Sequence, residues 1–219
     1  MKKYLEILKK CPLFFDVNED EIHKMLGCLG PTVESFDKKY TVISEGSYAR
    51  YIGIVLSGSV QMIKHDYYGN RSIVAEIGPS EMFCDEFACA DVSSVPVSFI
   101  SNEPSEIMLI ECQRVLRSCG SSCNHHHRMI FNLMKNLADK NIRFHERIEI
   151  TSKRTTREKL MAYLIAEAQR IKSTKFEIPF DRQELADYLE VDRSGLSSAI
   201  GKLVKEGIIA ANKRQFELL

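Results

Sequence analysis

The sequence predicts an α+β protein with an N-terminal antiparallel β-sandwich or barrel, one long helix and a C-terminal helical unit that ends in a β-hairpin. Three observations support this prediction. Residues 32–111 contain short β-type segments separated by turn signals such as SGS, YGN, GPS and NEP. Residues 125–149 contain neither Pro nor Gly. Residues 181–206 have the pattern of two short helices joined by a turn.

The β segments are TVESF, YTVIS, YIGIVLS, SVQMIKHDY, RSIVAEI, VPVSFIS and SEIMLIE. This number and spacing of short strands is typical of an antiparallel sandwich or barrel. Gly69 lies between two of the segments and supplies the positive φ that a hairpin turn needs. Before the strands, Asn18 and Glu21 form a capping box that predicts the start of a helix.

Composition favours a cytoplasmic protein that does not enter a membrane. The chain has 219 residues, of which 44% are hydrophobic, and no apolar run approaches the ~20 residues that a membrane span requires. Glu6, Lys9 and Lys10 interrupt the N-terminal segment where a signal peptide would be apolar. Without an export signal, the seven cysteines do not indicate a disulfide framework.

Apolar residues recur at intervals of three and four along residues 125–149, which predicts a long helix with a broad apolar face. Such a helix is long enough to cross a domain and to pair with a second copy of itself. The alternative is a core helix of a monomer. We expect domains at 1–124, 125–150 and 151–219, and we assign the pairing face to Ile130, Leu133, Leu137, Phe144 and Ile148.

The C-terminal segment has the pattern of a helix-turn-helix. Asp181 can cap a first helix, with Glu184 completing a capping box. Asp192 can cap a second helix after the turn at residues 190–192. In that second helix Leu196, Ile200 and Leu203 share one face, at the spacing i, i+4, i+7.

The opposite face of the second helix carries short polar and basic side chains, as a recognition helix requires. The following segment, GIIAANKRQFELL, predicts a strand, a basic turn and a strand, which form a wing. An ordinary helical hairpin with solvated serines is the alternative. Charge gives weak support, because residues 151–219 carry 13 Lys/Arg against 10 Asp/Glu. The predicted DNA-contacting residues are Arg182, Gln183, Arg193, Ser194, Ser197, Ser198, Lys202, Lys205, Lys213 and Arg214.

The order of these parts resembles the Crp/Fnr family of transcription regulators. The most specific segments are DRQELADYLEVDRSGLSSAI, YIGIVLSGSVQMI and IGPSEMF with the acidic pair that follows. The resemblance implies a double-stranded β-helix (jelly-roll) sensor barrel, a homodimer formed through the long helix and a winged helix that binds double-stranded DNA. It further implies that an effector in the barrel activates or represses a promoter, with RNA polymerase as a candidate partner and no enzymatic activity.

The sequence departs from the family members that bind cyclic AMP. Those members place Gly-Glu after the barrel phenylalanine and an Arg-Ser pair further on, whereas this chain has Cys84-Asp85-Glu86 and then Val95-Pro96-Val97-Ser98. Residues 72–113 contain eight Asp/Glu and no Lys or Arg. A buried phosphate without a cationic partner is costly. We therefore expect an effector other than cyclic AMP, of unknown identity.

The resemblance also places an effector pocket between the strand after Gly78 and the long helix. Because acidic residues dominate this region, we expect the pocket to prefer a neutral or cationic small molecule. The candidate pocket residues are Phe83, Asp85, Glu86, Val97, Ser98 and Leu137.

Cysteine and histidine spacing leaves a metal or redox role open. The clustered N-terminal cysteines of the oxygen-sensing relatives are absent, and His65 is the only histidine within the barrel strands. The run SCGSSCNHHH contains Cys119 and Cys123, which could bind a metal or cycle as a redox pair, although the spacing fits no standard site. Incidental thiols in a turn before the helix are the alternative.

Two further hypotheses compete with an effector-responsive regulator. One is a metal- or thiol-dependent enzyme on a barrel scaffold, and the other is a constitutive DNA-binding protein whose barrel only dimerises. The recognition helix carries Ser194 and Ser198 where family members that read the common operator carry Glu and Arg. Serine discriminates weakly among bases, so the operator cannot be inferred from the family.

Overall fold

The computed structural model describes residues 2–117 and 124–219. The chain divides into two compact units. The first comprises Met1–Lys64 and Val74–Asn141, and the second comprises His65–Ile73 and Ile142–Leu219. The boundary in the C-terminal half therefore lies inside the long helix, whereas the predicted domain boundaries lie at its two ends.

The first unit begins with short helical segments. They are a 3-10 helix at Lys2–Tyr4, α1 at Leu5–Leu8, a 3-10 helix at Pro12–Phe14 and α2 at Glu19–Leu29. The predicted capping box at the start of α2 is confirmed, because the Asn18 side chain accepts a hydrogen bond from the Glu21 amide and the Glu21 carboxylate accepts one from the Asn18 amide. Gly30 ends the helix with a φ of 54°.

The barrel consists of two four-stranded antiparallel sheets. One has the order β1-β8-β3-β6 and the other β2-β7-β4-β5. The strands are β1 (Thr32–Phe36), β2 (Thr41–Ile43), β3 (Tyr51–Ser57), β4 (Val60–His65), β5 (Arg71–Ile77), β6 (Met82–Phe83), β7 (Ser98–Ser101) and β8 (Ser105–Glu111). The predicted turn between β4 and β5 is confirmed, since Gly69 has a φ of 83°.

Aromatic rings fill part of the barrel core. Phe83 and Phe99 are fully buried, with their ring centroids 5.1 Å apart. Gly53, on β3, lies so close to the Phe83 ring that a Cβ atom at this position would overlap it. The ring of Phe83 therefore occupies the space that any larger residue at position 53 would need.

Three further helices lie between or after the barrel strands in the chain. Helix α3 (Asp85–Cys89) begins directly after β6, and α4 (Cys112–Leu116) begins directly after β8. Helix α5 spans Asn124–Thr151, slightly longer than the predicted helix. Helices α3 and α4 and the two-residue strand β6 are too short to show a hydrophobic period, so the sequence did not predict them.

The second unit contains the C-terminal winged helix. Its elements are α6 (Thr156–Ile171), β9 (Lys175–Glu177), α7 (Arg182–Leu189), α8 (Arg193–Lys205), β10 (Ile209–Asn212) and β11 (Gln215–Leu218), and its sheet has the order β10-β11-β9. Helix α6 begins at Thr156 because the Thr155 side chain caps it in a box with Glu158. None of the helices in the described ranges is long and apolar enough to cross a membrane.

A single hydrophobic cluster holds the second unit together. Leu160 and Leu164 of α6 pack with Leu185 of α7 and Leu203 of α8, all fully buried. Residues 65–73 belong to the same unit, in which the buried side chain of Ile73 joins the cluster.

Candidate nucleic-acid interface and sensor site

Helix α7 starts and ends as the sequence predicts. The Asp181 carboxylate accepts hydrogen bonds from the amides of Gln183 and Glu184, at 2.8 and 2.9 Å. The Glu184 carboxylate in turn accepts the Asp181 amide, at 2.7 Å. Glu190 ends the helix with a φ of 54°, and the Lys159 ammonium donates hydrogen bonds to the backbone oxygens of Leu189 and Glu190 at 3.2 and 3.3 Å. Both local and long-range hydrogen bonds therefore hold the short turn to α8.

Helix α8 has one buried face and one exposed face. Leu196, Ile200 and Leu203 are buried as predicted. At its start the Asp192 carboxylate accepts the amides of Ser194 and Gly195, and also the Ser194 hydroxyl. These hydrogen bonds, the Ser194 hydroxyl first, lower the pKa of Asp192. The exposed face presents Arg193, Ser194, Ser197, Ser198, Gly201, Lys202 and Lys205.

The wing is the β10–β11 hairpin. Asn212 pairs with Gln215, so Lys213 and Arg214 form the two-residue turn, and both are exposed. The Arg214 guanidinium lies 3.6 Å from the carboxylate of Glu184, which is buried in the capping box of α7. The tip of the wing is therefore tied to the first helix of the motif.

Two further residues of the predicted interface have partners within this unit. The Arg182 guanidinium lies 5.0 Å from the centroid of the Phe216 ring, and burial lowers the pKa of Arg182. The Gln183 amide donates to the Asp187 carboxylate at 2.8 Å. These two side chains contribute to the packing of the winged helix, whereas Lys213 and the exposed residues of α8 point to solvent.

The face of α5 that is exposed differs from the one assigned in the sequence analysis. Leu133 is only 2% exposed and belongs to the core of the first unit, while Ile130, Leu137 and Phe144 are partly buried. Of the five assigned residues, Ile148 alone is largely exposed. The large apolar side chains of α5 that are most exposed are Phe131, Met134, Ile142 and Ile148, at 57–62%.

The N-terminal part of α5 is fastened to the first unit by polar contacts. The Asn132 side chain donates to the backbone oxygens of Leu13 and Phe15, at 3.1 and 2.9 Å. These bonds fix the rotation of the helix, so that Leu133 faces inward and Phe131 faces outward.

The acidic pair of α3 meets the same helix. Asp85 is fully buried, and its carboxylate accepts the Asn136 side-chain amide at 2.8 Å and the Lys140 ammonium. The Glu86 carboxylate accepts Lys140 at 3.1 Å. Burial is the main cause that raises the pKa of Glu86. Burial also opposes the charge on Lys140, but the two carboxylates outweigh it and raise the pKa of Lys140.

Asn136 and Lys140 belong to this site, and neither was among the predicted pocket residues. The absence of Lys and Arg from residues 72–113 indicated an acidic pocket without a cation, but α5 supplies the cation from 54 residues beyond Glu86. The acidic pair is therefore neutralised in part by the chain itself. Only the helical phase of α5, which puts Asn136 and Lys140 on one face, could have indicated this.

The other candidate pocket residues differ in burial and in their contacts. Phe83 and Val97 are buried in the barrel, and Leu137 is half-buried. The Ser98 hydroxyl accepts the backbone amide of Glu45 at 3.0 Å. Phe83 and Ser98 are thus committed to packing and to a loop contact.

Cys119 and Cys123 lie outside the described residues. In the histidine run beside them, His126 is buried and His127 is exposed. Within residues 2–117 and 124–219, no group of three or more His, Cys, Asp or Glu residues is arranged to hold a metal ion.

Two family models match the chain, in the order that the fold shows. A cyclic nucleotide-binding domain matches residues 33–121, and a Crp-like helix-turn-helix domain matches residues 158–219. Together they cover more than half of the chain. The protein belongs to the Crp/Fnr family of transcription regulators. A search of curated protein sequences gives no significant match.

Solved structures of Crp/Fnr regulators share this fold. FixK2 from Bradyrhizobium japonicum is 20% identical, with a TM-score of 0.68 over 86% of this chain and 92% of that one. The c-di-GMP-responsive global regulator CLP from Xanthomonas campestris is 16% identical, with a TM-score of 0.74 over 92% and 99%. TTHB099, a CRP-family regulator from Thermus thermophilus, is 18% identical, with a TM-score of 0.62 over 85% and 91%.

Proposed function

We propose that this Crp/Fnr regulator is a cytoplasmic homodimer that binds specific double-stranded DNA through α8 and changes its DNA affinity in response to an effector other than cyclic AMP. The observation that carries the proposal is the exposed face of α8. Its serines and cations stand opposite a fully apolar face that packs on α7.

The exposed residues of α8 and of the wing have two different roles in this proposal. Ser197 and Ser198 are short enough to approach base edges and would set sequence preference. Lys202, Lys205 and Lys213 lie at the end of α8 and at the tip of the wing, where cations suit phosphate oxygens. Arg182 and Arg214 act mainly inside the winged helix and contribute less to contact with DNA.

The exposed apolar residues of α5 support pairing with a second copy. Phe131, Met134 and Ile148 fit a seven-residue repeat in which Ala138 also falls on the same face. Four large apolar side chains that are more than half exposed on one helix are unusual for a monomer. A parallel pair of α5 helices would cover them and give the two α8 helices the symmetry of a palindromic site.

The acidic cluster supports an effector other than cyclic AMP. A cyclic phosphate that entered beside Asp85 and Glu86 would meet two carboxylates, and Lys140 is already bonded to both of them. The solved relative CLP is described as responsive to c-di-GMP, which illustrates that effectors differ among proteins of this fold.

The test is selection of duplexes from a pool of random sequence by the full-length protein, in reduced and in oxidised buffer. We expect an enriched palindromic sequence and, by sedimentation, a dimer. Ser198→Ala should change the enriched sequence. Lys213→Ala should weaken binding to every duplex, and Lys24→Ala, an exposed lysine of α2, serves as the control. Failure to enrich any sequence in either buffer would contradict the proposed function.

A further inference from the structure

Two cysteines of the first unit lie side by side. Cys89 is the last residue of α3 and Cys112 is the first residue of α4. Their sulfur atoms are 3.7 Å apart and are not bonded covalently. They are 23 residues apart in the sequence, so no motif spacing indicates the pair. The pair belongs neither to the exposed face of α8 nor to the cluster of Asp85, Glu86 and Lys140.

The pair differs from the other described cysteines in its surroundings. Burial raises the pKa of the Cys11 and Cys84 thiols to about 12, which keeps both protonated and unreactive. In the pair, the two sulfurs share one S–H···S hydrogen bond; with Cys89 as its donor, this bond lowers the pKa of the Cys112 thiol and raises the pKa of the Cys89 thiol. Cys89 is partly exposed and Cys112 is buried, so a small oxidant would approach the pair from the side of Cys89.

We propose that Cys89 and Cys112 form a dithiol that a peroxide oxidises to a reversible disulfide, and that this disulfide changes the affinity of the regulator for DNA. Only the change in DNA affinity rests on the proposed function. The disulfide itself can be detected without DNA.

The chemistry consumes one peroxide per pair. One peroxide oxygen adds to one sulfur to give a sulfenic acid, while the other oxygen leaves as water. The second thiol then attacks the sulfenic sulfur, which forms the S–S bond and releases its oxygen as a second water. The two thiols lose two electrons in total and the peroxide gains them. A dithiol reductant reverses the step by thiol–disulfide exchange.

Formation of the bond has a structural consequence because of what α3 carries. A disulfide requires the sulfurs to approach to about 2.05 Å, whereas they now stand 3.7 Å apart. We expect rotation of the two cysteine side chains and a shift of the end of α3 toward α4 to close this distance. Asp85 and Glu86 occupy the start of α3, which has only five residues, so their bonds to Asn136 and Lys140 on α5 would be disturbed. Helix α5 is the element on which the proposed dimer depends.

The experiment uses the full-length reduced protein treated with hydrogen peroxide. Intact mass should fall by two hydrogens, and non-reducing peptide mapping should join the peptides that contain Cys89 and Cys112. Binding to the duplex enriched in the selection should change at least about fivefold, the lower end of ordinary allosteric coupling. Dithiothreitol should restore the original value.

Matched variants separate this pair from the other thiols. Cys89→Ser, at the partly exposed position, should abolish both the disulfide and the change in affinity, as should Cys112→Ser. Cys28→Ser and the double variant Cys119→Ser/Cys123→Ser should retain both. Circular dichroism checks that each variant folds, and Cys89→Ser decides the question if the buried Cys112→Ser does not fold.

Three outcomes would overturn the inference. They are a disulfide that joins other cysteines, no disulfide under peroxide, and a Cys89–Cys112 disulfide that leaves DNA affinity unchanged. In each case a duplex enriched in the selection would leave the proposed function intact. If neither the reduced nor the oxidised protein enriches a duplex, the proposed function is contradicted. The mapped peptides would still show whether Cys89 and Cys112 form a disulfide.

Discussion

Replacement of Lys140 by Met tests whether the buried acidic pair depends on α5 for its charge balance. Methionine keeps most of the apolar stem and removes the ammonium. Of its side-chain contacts within the described residues, the fully buried Asp85 would then keep the hydrogen bond from the Asn136 amide, and Glu86 would lose its cation. The carboxylates would be left close together without a countercharge.

The expected loss of stability can be estimated from these contacts. Removing one partner of a buried ion pair costs about 3–5 kcal/mol. The Lys140 side chain is 20% exposed, so water screens part of the interaction, and we expect about 3 kcal/mol. Lys135→Met, at an exposed position on the same helix that contacts the Phe15 ring, is the control and should cost about 0.5–1 kcal/mol at most.

The assay is urea unfolding followed by circular dichroism at one fixed protein concentration. A double variant, Asp85→Asn/Lys140→Met, should be more stable than the sum of the single variants predicts, because it removes both charges. A loss of less than about 1 kcal/mol for Lys140→Met, or strict additivity in the double variant, would refute the coupling described here.

Three other changes test separate parts of the structure. Burial raises the pKa of Glu86, so its ionisation opposes folding above that pKa and this destabilisation disappears as the pH falls. Glu86→Gln should therefore raise the melting temperature at pH 8, and the difference from the unmodified protein should shrink toward pH 4. A difference that grows toward pH 4 would contradict the role of burial. Gly53→Ala should destabilise the barrel by about 1–3 kcal/mol through overlap with Phe83, and Phe83→Leu in the same chain should recover part of the loss in thermal unfolding; no recovery would mean that the overlap is not the cause. Lys213→Ala should reduce the slope of log affinity against log salt by about one, as measured by fluorescence anisotropy, and an unchanged slope would place Lys213 away from phosphate.

Local signals in the sequence predicted the start of α2 and the helices of the winged helix. The capping residues Asn18, Asp181 and Asp192 each bond to amides within three residues, so their pattern is visible in the sequence alone. The buried face of α8 follows from a simple helical period. These features depend on neighbours in the chain, and the structure confirms them.

Features that depend on distant contacts were not predictable in the same way. The apolar residues of α5 cover more than half of its circumference, so periodicity could not tell which face packs on the barrel and which remains exposed. Asn132 settles that question through bonds to residues more than 100 positions earlier. Lys140 and the Cys89–Cys112 pair likewise come together only when the strands are assembled.

The contact between Gly53 and Phe83 also limits how this regulator can change over evolutionary time. A glycine on a strand and a large ring facing it form one steric unit, and a mutation at either position alone leaves an overlap or a void. The two positions should therefore vary together in descendants of this sequence: a smaller residue at position 83 first, and a side chain at position 53 afterwards. The order matters, because the path that begins at position 53 passes through the overlapped state.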